Sequence, residues 1–146
     1  MIIISTTLMF SFAFNNYRRH TDHWQTKHDV HIASKYIEKS LREFNQENII
    51  FDSDNSIFQG KDYSDKDAWV YLSGKKSFKT NTLIYFYDAT KEIRVNKNNE
   101  NNVLCGNIDN VTVNELIEGK LIEIEVTAYK TEYSVKTRLN LNYRKK

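Results

Sequence analysis

The chain has 146 residues, of which 40% are hydrophobic and 27% are charged, and its 21 basic side chains nearly balance its 19 acidic ones. This length suits one ordinary domain, and this composition supports a packed core and argues against intrinsic disorder. The net charge of +2 gives no reason to expect nucleic acid as a direct partner. Because Cys105 is the only cysteine, the fold must rest on its core without an internal disulfide.

The first fourteen residues, MIIISTTLMFSFAF, carry no charge and are followed closely by Arg18 and Arg19. This run is shorter than the ~20 residues that a helix needs to cross a bilayer, and it lacks the basic start of a signal peptide. Three interpretations stay open: a core strand or helix, an interfacial anchor, or the end of a longer transmembrane helix. We interpret residues 1–19 as a hydrophobic helix segment.

Residues 20–47 are predicted to form an amphipathic helix that continues this segment. No Gly or Pro occurs between Asn15 and Asn45, and apolar residues recur at the helical steps of three and four, at Val30, Ala33, Ile37, Leu41 and Phe44. A single helix from Ile2 to Asn45 would be roughly 65 Å long at ~1.5 Å per residue. A domain of roughly 100 residues is narrower than that, so part of the helix should project from it.

Residues 48–146 are predicted to form an antiparallel β-sheet domain. Short apolar runs alternate there with clusters of Asp, Asn, Ser and Gly, a pattern typical of strands and turns. The runs at 60–67 (GKDYSDKD) and 96–102 (NKNNENN) read as loops. The predicted strands are Ile49–Phe51, Ser56–Gln59, Ala68–Leu72, Leu83–Tyr87, Glu92–Val95, Asn110–Asn114, Leu121–Tyr129 and Glu132–Tyr143.

The last two predicted strands can be aligned as a hairpin. A two-residue turn at Lys130–Thr131 would place Glu125 opposite Lys136 and Glu123 opposite Arg138. The pairs on the other face would be apolar: Val126 with Val135, Ala128 with Tyr133 and Ile122 with Leu139. Such cross-strand pairs contribute up to ~1 kcal/mol each. A sheet with one apolar face needs a cover, and the amphipathic part of the helix is the candidate.

All four histidines lie in the predicted helix, as two pairs with a three-residue step: His20 with His23, and His28 with His31. They share a broad arc of the helix, but His20 and His28 would be about 12 Å apart along its axis, so one metal ion with bonds of ~2 Å cannot bind all four. Each pair could hold a metal weakly or share one between two molecules. A solvated helix face explains them better, and we expect neither a metal nor another cofactor.

Signals for catalysis are weak. The sequence has no Gly-rich phosphate loop and no G-x-S-x-G turn. No histidine follows His31, so a catalytic pair with Cys105 would need the helix to meet a distant loop, and a buried or idle cysteine is the better interpretation. The acidic residues of FDSDNS (51–56) and GKDYSDKD lack the spacing of a calcium loop and read as turns. We therefore do not expect an enzyme.

The segment HDVHIASKYIEKSLREFN (28–45) resembles the helix of type IV pilin-like proteins, especially the minor pilins and J-type pseudopilins. Ile32-Ala33, Tyr36-Ile37-Glu38-Lys39 and Leu41-Arg42 occupy the family's places, while His31 and Ser40 replace its usual Arg and acidic residue. Three later segments resemble the family's strands and closing hairpin: LIYFYDATKEIRVNKN (83–98), NVLCGNIDNVTV (102–113) and KLIEIEVTAYKTEYSVKTRLNLN (120–142).

This resemblance implies an α+β, pilin-like fold and a structural role in a bacterial type IV pilus, a type II secretion pseudopilus or a DNA-uptake pilus. The apolar helix would lie in the cell membrane before assembly, with the sheet domain extracytoplasmic, and would then pack against other pilin or pseudopilin subunits in a surface filament. The implied packing residues are Ile2, Ile3, Ile4, Leu8, Phe10, Phe12 and Phe14. The family's basic leader, Gly cleavage point and early acidic residue are not in MIIISTTLMFSFAF, so we expect part of the family's helix to precede Met1 and do not expect processing of the chain as written.

The alternative is a small soluble α+β domain that binds a ligand or acts as an enzyme, with the apolar start as a core element. The sequence does not identify a small-molecule ligand for it. This alternative predicts a compact and soluble chain, whereas the pilin-like interpretation predicts a need for detergent that is relieved by deleting residues 1–18.

Overall fold

The computed structural model shows an α+β fold in which one long helix packs on β-sheet. It describes residues 2–75, 81–97 and 100–146, and the side chains of residues 2–5 lie outside the description. The helix α1 spans Ile2–Arg42, 41 residues without interruption, which corresponds to about 60 Å. The predicted continuity of the helix is confirmed, and its end lies three residues before the predicted Asn45.

The chain leaves α1 through a close contact with the second strand. Asn45 donates its backbone N–H to the carbonyl of Lys61 at 2.8 Å, and the buried ring of Phe44 lies against Gly60. A Cβ at position 60 would be 2.9 Å from that ring, which is closer than real contacts allow. Glycine at position 60 therefore permits this packing.

Ten strands follow in the described part of the chain. They are β1 (Ile49–Asp52), β2 (Ile57–Lys61), β3 (Asp67–Tyr71), β4 (Thr82–Tyr87), β5 (Glu92–Lys97), β6 (Glu100–Cys105), β7 (Ile108–Ile117), β8 (Leu121–Ala128), β9 (Ser134–Asn140) and β10 (Tyr143–Lys145), with a single 3-10 turn, η1 (Asp88–Thr90), between β4 and β5. A seven-stranded sheet has the order β10-β1-β2-β3-β4-β5-β6, and a three-stranded sheet has the order β7-β8-β9.

The predicted antiparallel pairing holds for most neighbouring strands but not for two pairs. β1 pairs in parallel with β10, with Ile49 opposite Tyr143, and β3 pairs in parallel with β4. The predicted strand Glu132–Tyr143 is in fact two strands, β9 and β10, because the chain leaves the hairpin after Asn140 and joins the edge of the larger sheet. The predicted loop at 96–102 contains the end of β5 and the start of β6, which pair with each other.

The predicted register of the hairpin is confirmed. β8 and β9 pair with Glu123 opposite Arg138 and Glu125 opposite Lys136, and the apolar pairs Ile122–Leu139 and Val126–Val135 lie on the other face. Arg138 Nε lies 2.9 Å from Glu123 Oε2, so the charged face is ion-paired as expected. The turn is longer than two residues, because β8 ends at Ala128 and β9 begins at Ser134.

The core lies between the second half of α1 and the two sheets. The predicted apolar face of the helix is confirmed: Val30, Ala33, Ile37, Leu41 and Phe44 are all buried, at 2% exposure or less. They form one cluster with strand residues such as Phe58, Ile84 and Ile124. One-sided burial begins at Asp29, not at residue 20, so the predicted amphipathic segment 20–47 is docked only in its later part.

Candidate functional site

The first half of α1 projects from the sheets with its side chains uncovered. From Thr6 to Gln25 all side chains are exposed except that of Asn16, which is half-buried. The exposed apolar side chains include Leu8 (66%), Met9 (74%), Phe10 (75%), Phe12 (70%) and Phe14 (54%). An uncovered apolar surface of this kind is typical of surfaces that contact another protein or a membrane.

The packing residues implied by the resemblance thus divide into two groups. Leu8, Phe10, Phe12 and Phe14 lie in the exposed segment, whereas the side chains of Ile2, Ile3 and Ile4 lie outside the described residues. The predicted core position of the apolar start is wrong for the described side chains, since none of residues 6–14 is buried in this chain. Within the described residues, no helix combines the length and apolarity needed to cross a membrane.

A buried carboxylate marks the point where α1 meets the sheet domain. Asp29 is 5% exposed, and each of its oxygens accepts one side-chain amide N–H, from Gln25 Nε2 to Oδ1 at 2.9 Å and from Asn107 Nδ2 to Oδ2 at 2.9 Å. Asn107 has a left-handed backbone, with φ of 56°, and its carbonyl accepts the backbone N–H of Tyr129 at 2.7 Å. These bonds tie the helix to the loop between β6 and β7 and to the loop between β8 and β9.

The hairpin provides a second attachment for the helix. His31 Nε2 lies 2.7 Å from the hydroxyl of Tyr133, and Lys27 Nζ lies 5.3 Å from the centre of the same ring. Ser34 Oγ and Thr137 Oγ1 are hydrogen-bonded at 2.6 Å. His31 therefore has a structural partner on the hairpin, which its place in a histidine pair did not predict.

The other metal candidates stay on the helix surface. His20, His23 and His28 are exposed, and His23 faces a cleft beside the helix. Among the described residues, no three His, Cys, Asp or Glu side chains are grouped so that they could hold a metal ion. The structure therefore adds no support for the metal interpretation of the four histidines.

A cleft of about 410 Å³ lies where the projecting helix passes the loops of the sheet domain. Its helix side carries Arg19, Asp22, His23 and Gln25, and its loop side carries Asn107, Tyr129 and Lys130. Lys130 Nζ lies 5.1 Å from the centre of the Tyr129 ring. The ion pairs between described residues involve neither Arg19 nor Lys130, so both positive charges are available to a ligand.

The groups considered for catalysis have structural roles. Cys105 is 6% exposed, and its burial, assisted by the negative charge of Asp29, raises the pKa of the thiol to about 12. A thiol in that state is a poor nucleophile at neutral pH. The predicted burial of Cys105 is confirmed. Asp62 Oδ1 accepts the backbone N–H groups of Ser64 at 2.8 Å and Lys66 at 3.0 Å, which confirms the predicted turn at these residues.

Sequence reasoning missed the cleft and the contact of Asp29 with Asn107. The two residues are 78 positions apart, and no local pattern links them. The pair Gly106-Asn107 is a turn signal that could have located the loop, but not its partner on the helix.

Comparison with known protein families, with curated proteins and with solved structures finds no match for this chain. The geometry of α1 and its junction with the sheets is therefore the observation that bears on function. The resemblance of the sequence to pilin-like proteins stays a hypothesis, and the projecting helix is consistent with it.

Proposed function

We propose that the protein is a pilin-like minor subunit of a bacterial filament, with the projecting apolar half of α1 as its assembly surface. The observation that carries this proposal is a contrast within one helix: the apolar side chains of Leu8, Phe10 and Phe12 are exposed, whereas those of the docked face, Val30, Ala33, Ile37 and Leu41, are buried. The filament would be a type IV pilus, a type II secretion pseudopilus or a DNA-uptake pilus. The sheet domain would face outward.

The distribution of the exposed apolar side chains favours a helix that is surrounded in use. Leu8, Met9 and Phe10 point in successive directions about 100° apart, so apolar groups occur all round the helix. A helix of this type is buried in a protein core or in a membrane. Transfer of each large apolar side chain from water contributes about 1.5–3 kcal/mol, which gives several of them together a strong drive to assemble.

Before assembly, we propose that the apolar end enters the cell membrane and that the sheet domain stays extracytoplasmic. The run from Ile2 to Phe14 corresponds to about 20 Å of helix, against a hydrocarbon core of ~30 Å. The described helix is thus long enough to enter the bilayer deeply. On release into a filament, the same side chains would pack against the helices of other pilin or pseudopilin subunits.

Two aspartate substitutions on the same helix test this proposal. Phe10 and Trp24 are both 75% exposed aromatic residues, but only Phe10 lies in the apolar segment. An aspartate within the hydrocarbon costs about 2.5–3.5 kcal/mol, so F10D should move the protein from the membrane fraction of its host to the soluble fraction. W24D introduces the same charge outside the apolar segment and should fractionate like the wild type.

A deletion provides the complementary test. Removing residues 1–18 leaves every side chain from Asp29 onward that forms the core, so the shortened chain should remain folded and should no longer need detergent. Equal fractionation of wild type, F10D and W24D would contradict the assembly surface. A full chain that is monomeric and soluble without detergent would contradict it as well.

A further inference from the structure

The cleft beside α1 lies at a defined distance from the end of the apolar segment. Arg19 is five residues beyond Phe14 and His23 is nine residues beyond it, which places them about 7.5 Å and about 13.5 Å further along the helix axis. The polar layer of a bilayer is about 5–7 Å thick on each side of the hydrocarbon. If Phe14 lies at the edge of the hydrocarbon, the backbone of Arg19 is at the outer edge of the headgroup layer. Because helix side chains lean toward the helix N-terminus, the long side chain of Arg19 can reach back to the lipid phosphates.

The charges around the cleft favour an anionic ligand. Arg19 from the helix and Lys130 from the β8–β9 loop approach it from two sides, and Asp22 is the carboxylate among its lining side chains. The carboxylate of Asp29 lies behind Gln25 and Asn107 and is already bonded by their amides. Arginine offers a planar array of N–H donors that matches phosphate oxygens, and lysine adds a point charge.

We propose that this cleft binds the phosphodiester group of an anionic phospholipid. The bound headgroup would hold the sheet domain in one orientation on the membrane before assembly. This inference rests on the proposed function, because it requires the apolar half of α1 to lie in the bilayer. A phospholipid fits better than a free anion, since the cleft opens beside the segment that would place it next to headgroups.

Neighbouring arginines supply a matched test. Arg18 and Arg19 have the same charge and adjacent positions, but only Arg19 lines the cleft. The full chain, purified in detergent with equal amounts of phosphatidylglycerol and phosphatidylcholine, would be analysed by native mass spectrometry for the lipids it retains. Wild type and R18Q should retain phosphatidylglycerol preferentially. In R19Q the ratio of retained phosphatidylglycerol to phosphatidylcholine should fall about tenfold, as expected for the loss of one charge-assisted hydrogen-bonding group.

A substitution in the sheet domain distinguishes lipid binding in the cleft from general attraction of lipid to the basic residues that follow the apolar segment. Lys130 is distant from Arg19 in sequence and lines the same cleft, so K130Q should reduce the preference as R19Q does. Equal effects of R18Q and R19Q, no effect of K130Q, or no preference in the wild type would overturn the proposal. Release of the lipid by excess inorganic phosphate would also overturn it, in favour of a free-anion site.

These outcomes are distinguishable from failure of the proposed function. Loss of lipid preference leaves membrane retention intact, because retention depends on Phe10 and its apolar neighbours. Loss of membrane retention in wild-type protein would instead contradict both proposals.

Discussion

The two halves of α1 belong to one uninterrupted helix but have opposite environments. In the docked half, Val30, Ala33, Ile37 and Leu41 are all 0% exposed, whereas in the projecting half Leu8 and Phe10 are 66% and 75% exposed. The docked half has its apolar residues on one face, which matches a single neighbouring surface. The projecting half has them all round, which matches a surrounding medium or bundle that this chain alone does not provide.

The contrast shows that the distribution of apolar residues around a helix indicates how many of its sides are covered by apolar neighbours. The chain itself covers the one-sided half with its two sheets. The all-round half is covered by lipid or by other subunits in our proposal. The two environments meet near Asp29, whose carboxylate accepts hydrogen bonds from Gln25 and Asn107.

The largest expected difference in stability is between two leucine-to-alanine substitutions, one in each half of α1. Leu41 is fully buried and Leu8 is 66% exposed. L41A should lower the free energy of unfolding by about 2–5 kcal/mol because it removes buried methyl groups and leaves a cavity. L8A should change it by less than about 0.5 kcal/mol. Urea denaturation of both variants of the full chain, kept in the same mild detergent as the wild type, measures the difference, and similar losses would contradict the division of α1 into two halves.

A smaller effect is expected at the junction. D29A would remove the charge-assisted hydrogen bonds that the side-chain amides of Gln25 and Asn107 donate to this carboxylate, at a cost of about 1–3 kcal/mol. Asp22 is an exposed aspartate on the same helix, and D22A should leave the stability nearly unchanged. Hydrogen exchange of α1 would show whether D29A loosens the helix near residue 29. Equal stability of the two variants would indicate that the Asp29 contacts do not fix the helix to the sheet domain.

The last effect is absent at neutral pH and appears only under alkaline conditions. Burial first, and the charge of Asp29 second, raise the pKa of the Cys105 thiol from 9.0 to about 12. Because the folded state holds this proton more tightly than the unfolded state, the contribution to stability is complete below pH 9 and is lost as the pH rises toward 12. Wild type should therefore lose stability more steeply than C105A between these limits. Parallel pH profiles of the two proteins would contradict a sealed contact between the docked half and the sheets.

Local patterns were enough to predict the helix and the hairpin, because both are built from residues close in sequence. Steps of three and four identified the buried face of α1, and alternation fixed the pairing of Glu123 with Arg138. The composition of the Asn-rich run at 96–102 is typical of a loop and does not reveal that Val95 pairs with Asn102. The parallel pairing of Ile49 with Tyr143 joins the two ends of the sheet domain, and such distant contacts leave no local signal.

The candidate site divides in the same way. The apolar segment is visible in the composition of the first fourteen residues, so the exposed residues Leu8, Phe10, Phe12 and Phe14 could be named in advance. The cleft could not, because it forms only when the loop carrying Lys130 is folded beside Arg19.

The central claim is that the projecting apolar half of α1 is covered in the native setting, and cysteine labelling tests it most directly. Cys105 is buried with a thiol pKa of about 12, so it gives little background at neutral pH. The variants F10C and W24C would be treated in host membranes with a membrane-impermeant maleimide. The account predicts that position 24 is labelled at once and that position 10 is protected until detergent is added. Equal and rapid labelling of both positions without detergent would contradict it.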